Sequence, residues 1–155
     1  MLENSTPNPI PPPSNCAQGA QKGYTVFVAK RVFTLAEARK ILPLVRKLVS
    51  VGMNLSGEIS RYKEAVQELA KSADLNRGSP EGTAYMERLL QLQSCVARLQ
   101  GMGCLVKSVD QGLIDFPHMK EGREVYLCWK HGEEDIFYWH EIDAGFAGRK
   151  RIPED

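Results

Sequence analysis

The sequence predicts an α+β protein, mainly α: a long antiparallel helical hairpin of coiled-coil type with a small C-terminal β-hairpin at its open base. Three observations carry this expectation. Ala38, Ile41, Val45, Leu48, Gly52, Leu55, Ile59, Tyr62, Val66, Leu69 and Ala73 keep an alternating three-four spacing. Tyr85, Leu89, Leu92, Val96, Leu99, Gly103 and Val106 repeat it on the return. Beyond them, EVYLCW (124–129) and IFYWHE (136–141) alternate and are rich in aromatic residues. A strict two-in-seven repeat is the seam of a coiled coil rather than a broad globular face, and the alternation is that of strands.

In chain order, residues 1–23 carry Pro7, Pro9, Pro11, Pro12 and Pro13 among Asn, Ser and Gly. Such a segment has too little apolar surface to offset its ordering entropy, so a disordered tail is expected. Residues 24–155 then form one domain. YTVFVAKRVF (24–33) alternates β-favouring residues and reads as a short strand. Helix 1 is expected over residues 34–75, with Thr34 as N-cap and Glu37 closing a capping box. Pro43 removes one backbone bond in its third turn and should bend it. Asn76-Arg77-Gly78 ends it, and Ser79-Pro80 starts helix 2 (79–103) as N-cap and N1.

A symmetric hairpin sets Ala73 against Gly82, Val66 against Leu89 and Ile59 against Val96, and the series continues to Gly52 against Gly103. The simpler reading of Gly103 is a helix terminator. Leu42, Val49, Met86, Cys95 and Met102 flank the seam. So thin a core calls for a further partner, and a homodimer making a four-helix arrangement is the expectation.

From 104 to 155 the period changes. CLVKSV (104–109) is either a strand or the last turns of helix 2, and GLIDFP (112–117) reads as a turn-like link. The aromatic segments form a hairpin closed by His131-Gly132-Glu133-Glu134, followed by a Gly-rich loop, DAGFAGR (143–149).

Composition excludes several classes. The chain has 155 residues and a formal charge of +1, so no bulk field argues for nucleic acid. No apolar run is long enough to span a bilayer, and the N-terminus has no basic segment leading into an apolar core, as a secretory signal would. Cys16, Cys95, Cys104 and Cys128 form no C-x-x-C pair, which points to a reduced, cytoplasmic protein whose thiols act as small hydrophobes. Lys30, Arg31, Arg39, Lys40, Arg46 and Lys47 make the start of helix 1 basic, a face that Glu133, Glu134 and Asp135 can neutralise.

Chemistry concentrates near the C-terminus. If Lys130 pairs with Asp135, Glu124 faces Glu141 and Val125 faces His140. Facing carboxylates need a positive partner, either a divalent cation or Arg123 or Arg149. A register slip of one residue would dissolve this arrangement. His140, Glu141, Asp143, Asp115 and Glu124 are the candidate metal ligands, a mixed N/O set suited to zinc, manganese or iron. The simpler reading keeps His140 as a half-buried strand residue satisfied by a carboxylate or carbonyl, and His118 and His131 as solvated loop residues. Gly145, Gly148 and Arg149 can form a backbone nest for an anion, or a plain turn. No H-E-x-x-H or nucleophile-elbow pattern is present, and the catalytic residues stay unassigned.

FTLAEARKILPLV, GLIDFP, GREVYLCW and WHEIDAGFAGR, in this order, resemble the bacterial domain-of-unknown-function family 2203. The resemblance runs from about Val32 to Arg149. It implies a helical hairpin followed by a compact, motif-dense segment, and it carries no catalytic assignment. Two functions follow from the residues. One is a self-associating, cytoplasmic interaction or scaffold protein. The other is a divalent-metal-binding protein or metal-assisted hydrolase built on His140 and nearby carboxylates, with Glu124 or Glu141 as general base.

Overall fold

The computed structural model describes residues 31–71 and 79–153, except the side chains of Leu69 and Ala70. The Pro-rich tail, most of the 24–33 strand, the end of helix 1 past Lys71 and the Ala73–Gly82 pairing lie outside the described residues. Two helices, α1 (Leu35–Lys71) and α2 (Pro80–Gly101), precede five strands. These are β1 (Leu105–Ser108), β2 (Leu113–Lys120), β3 (Arg123–Lys130), β4 (Tyr138–Glu141) and β5 (Lys150–Arg151), with a single 3-10 turn at Phe146–Gly148 before the last. The strands form one antiparallel sheet in chain order.

Both helix starts form as expected. Glu37 Oε2 accepts from the Thr34 backbone N–H at 2.8 Å, and Glu37 N–H donates back to Thr34 Oγ1 at 3.2 Å. Ser79 Oγ caps α2 by accepting from Gly82 N–H at 2.9 Å, with Pro80 at the first helical position. Gly103, at φ 93°, ends α2: Cys104 N–H donates to Leu99 O and Gly103 N–H to Gln100 O. This is a Schellman turn, so Gly103 is a terminator and not a seam residue. The axial register differs accordingly. A side chain at Gly52 would meet Leu92 and Val109, not Gly103, and Glu58 pairs with Arg88 across the helices. Heptad spacing says which face meets a partner, but nothing in it fixes sliding along the axis. Here the cap and β1 anchor the end of α2.

The first half of α1 does not present a narrow seam. Ala38, Leu42, Val45, Leu48 and Val49 are all buried and share one core with Phe33, Ile114, Phe116, Val125, Leu127, Trp129, Ile136 and Trp139. That is a broad face laid on a sheet. Farther along, Ile59, Tyr62 and Val66 are only half-buried. The fold is α+β as expected, but the small hairpin is part of a five-stranded sheet.

Strand β2 is the largest departure from the sequence reading, which takes GLIDFP as a link and His118 as a loop residue. Two local features conceal it. Pro117 lies inside the strand, where a missing N–H normally excludes proline from central positions. The structure accommodates it because β1 covers only the first part of β2. Beyond that, Phe33 takes over the edge: its N–H donates to Pro117 O at 2.7 Å, and its carbonyl lies 2.7 Å from His118 Nδ1. The β2–β3 turn is Glu121-Gly122, both at positive φ, in place of the commoner Asn-Gly or Asp-Gly.

Of the expected partners for the basic start of α1, Asp135 supplies a charge, whereas the Glu133 carboxylate pairs with Arg149 instead. Arg39 pairs with Asp135 at 2.7 Å, and Arg46 donates to the Glu133 and Glu134 carbonyls. No described helix is long and apolar enough to cross a membrane.

Candidate functional site

The register of β3 against β4 decides which side chains meet. Val125 pairs with Glu141 and Tyr126 with His140, one residue off the pairing that sets Glu124 against Glu141. Strand side chains alternate, so the shift turns every β4 residue over. Trp139 joins Leu127 on the helix side, where both are buried. Tyr138 and His140 pass to the outer face with Tyr126 and Cys128. The β2 pairing brings Asp115 directly opposite Cys128.

The result is a compact cluster, one residue from each of three adjacent strands. Asp115, Cys128 and His140 each offer a ligand atom, and these atoms lie within 4.8 Å of one another. The residues are 1%, 0% and 1% exposed. His140 Nδ1 is 2.7 Å from the Glu141 carbonyl oxygen, which can only accept, so that nitrogen carries its proton. His140 Nε2 then faces Asp115 Oδ2 at 3.2 Å. Two facing lone pairs would repel, so this contact is held either by a proton on Nε2, which Asp115 then accepts, or by another cation between the two atoms. Asp115 Oδ1 is buried without a hydrogen-bond partner. Tyr126 packs edge-on to the His140 ring.

Burial pushes the Cys128 thiol up to about 12; the adjacent Asp115 carboxylate adds to the rise and Arg149 opposes it. A thiol so raised is a poor nucleophile. Both imidazole nitrogens are occupied, Nδ1 by a carbonyl and Nε2 by Asp115, so neither serves Cys128 as a base. As a ligand set, by contrast, thiolate, imidazole and carboxylate is a familiar zinc combination, because a cation stabilises the thiolate that burial otherwise disfavours.

Of the five candidate ligands, the structure gathers Asp115 and His140. Glu141 belongs to the helix side of the sheet, where Arg123 Nη2 meets it at 3.1 Å and Lys150 Nζ lies 3.9 Å away. Arg123 is thus its positive partner. Asp143 is exposed in the turn after β4, and Glu124 pairs with Met119 at the far end of β3. Cys128 is not legible as a site residue in the sequence, because an apolar strand hides its thiol among hydrophobes. Only its register partner Asp115 betrays it, and that pairing needs β2.

Gly145, Gly148 and Arg149 lie around the 3-10 turn. The Gly148 and Arg149 N–H groups donate to the Gly145 and Phe146 carbonyls, and Arg149 Nη1 is held by Glu133 at 2.7 Å. The same guanidinium lies over Tyr138 and Phe146.

The family model described as an uncharacterized conserved protein (DUF2203) matches residues 31–152. No curated protein and no solved structure matches the chain.

Proposed function

The chain belongs to the DUF2203 family of uncharacterized conserved proteins, and on that premise we propose that it binds a divalent metal of the zinc class through Asp115, Cys128 and His140. The observation that carries the reading is the enclosed three-strand cluster itself, in which His140 Nε2 faces Asp115 Oδ2 at 3.2 Å and the three donor atoms lie within 4.8 Å of one another. A dication held by these two atoms would take Cys128 as its third donor. The thiolate favours zinc or iron over manganese, which prefers an all-oxygen or N/O set. A metal here would tie β2, β3 and β4 together. Of the two general-base candidates for a hydrolytic role, Glu141 lies on the other face with Arg123 and Lys150.

Elemental analysis of the untagged full chain, purified without chelator, tests the proposal. Near-stoichiometric metal is expected, lost in Cys128→Ser and His140→Ala variants that keep the wild-type circular dichroism. Metal-free wild type that takes up neither zinc nor iron on dialysis would refute it.

A second reading, self-association through the helices, is favoured by one observation. Met86 and Leu90 on α2, and Leu44 and Val51 on α1, are large apolar residues left exposed at helical spacing. Light scattering at micromolar concentration decides it: a dimer that Leu90→Glu dissociates supports it, and a monomer ends it.

A further inference from the structure

The metal cluster is sealed by its own strands, yet one charged side chain connects it to water. Lys107 of β1 is 42% exposed, and its Nζ lies 3.9 Å from the buried Asp115 Oδ2 and 5.0 Å from the Tyr126 ring centroid. The other neighbouring cation, Arg149, is committed to Glu133. Lys107 is therefore the only described cation within salt-bridge distance of the Asp115 carboxylate, apart from His140 itself when protonated.

Charge counting then gives Lys107 a different role in each state. Without metal, Lys107 stands as a counter-charge to the Asp115 carboxylate. With a dication bound, the Asp115 carboxylate and the Cys128 thiolate together neutralise the metal. The Lys107 ammonium is left in excess beside it. A zinc-class ion takes four donors, and the cluster supplies three.

Resting on the metal reading above, we infer that the loaded site takes a small oxyanion as its remaining donor, shared between the metal and Lys107. An anion completes the coordination and neutralises the ammonium at once. The anion has to be small, because all three protein donors are almost wholly enclosed. Arg149 stays with Glu133, and Tyr126 provides the ring against which Lys107 packs.

The two states give opposite signs for one substitution, which a merely structural lysine would not. Cobalt-loaded full-length protein is titrated separately with bicarbonate, acetate and inorganic phosphate while the visible spectrum is followed. Cobalt affinity is measured by chelator competition. In Lys107→Met, which keeps the stem over Tyr126, cobalt should bind about five-fold tighter, and the responding anion at least about five-fold weaker, as expected for one unit charge at about 4 Å in a water-like medium. Lys107→Arg should recover anion binding.

Stoichiometric cobalt with no spectral response to any of the three anions overturns the inference and leaves the metal reading standing. So does equal anion affinity in Lys107→Met, or a loss of cobalt affinity in that variant. Wild-type protein that binds no cobalt fails before any anion is added, and removes the metal reading as well.

Discussion

Tyr126 on β3 pairs with His140 on β4, and this one-residue choice of register delivers His140 to the face that carries Asp115 and Cys128. The alternative pairing, Val125 with His140, would turn the imidazole toward α1 and leave Trp139 on the outer face. Burial favours the observed register. Trp139 enters the main core beside Leu127, together with Phe33 and Phe116, which meet edge-on at 5.5 Å between centroids.

That register makes Trp139 a core residue. Trp139→Ala should destabilise the protein by roughly 3–5 kcal/mol, the usual range for emptying a large aromatic site. Urea unfolding followed by circular dichroism measures it. A change below about 1 kcal/mol would mean that the ring does not face the helices.

The thiols should divide by environment. Burial pushes both Cys104 and Cys128 from an ordinary 9.0 up to about 12, whereas Cys95 is only half-buried. In chelator-treated native protein near pH 8, iodoacetamide should modify Cys95 at least about a hundred-fold faster than either of the others. Peptide mass spectrometry over time reads the order. Early labelling of Cys128 would contradict a neutral, enclosed thiol.

Two glycines of the helical hairpin should respond with opposite signs. Gly103 is at φ 93°, and an added Cβ would lie 2.7 Å from Arg31 Cβ, so Gly103→Ala should destabilise by at least about 1 kcal/mol. Gly57 lies inside α1 with nothing within 4 Å of such an atom, and Gly57→Ala should stabilise by about 0.5–1 kcal/mol. Thermal melts of the two variants give the comparison; a shared sign would rule out this account of the α2 terminus.

The α1 capping box should appear in the acid limb of stability. The Thr34 backbone N–H, and then its hydroxyl, hold the Glu37 carboxyl below its ordinary 4.5. The folded-state value is the depressed one. The contribution is therefore present above pH 4.5 and fades as pH falls through the lower, folded value. Glu37→Gln should flatten the stability profile in that window and leave its shape above it unchanged. Identical acid limbs for the two proteins would show that the box adds nothing.

The features legible in the sequence share a short range. Thr34 with Glu37, and Ser79 with Pro80, announce helix starts because a cap is made by residues three apart. Arg39 and Arg46 find the acidic 133–135 loop because charge composition is visible without coordinates. Strand β2 stayed hidden because Pro117 and Glu121-Gly122 argue locally against it. What admits Pro117 is Phe33, which no local pattern links to it. Losing β2 also loses the Asp115–Cys128 pair, and with it the third member of the buried cluster.

By itself, then, the chain determined its helix caps, its apolar faces and the presence of Asp115 and His140 in a motif-dense segment. All of these arise from interactions within a turn or two of backbone. Tertiary structure decided the sliding of α2 along α1, the inclusion of β2 and the pairing of Tyr126 with His140. Those choices compare whole alternative packings, which differ in how much of Trp139, Phe116 and the α1 face leaves water. Local residue patterns are nearly the same in each.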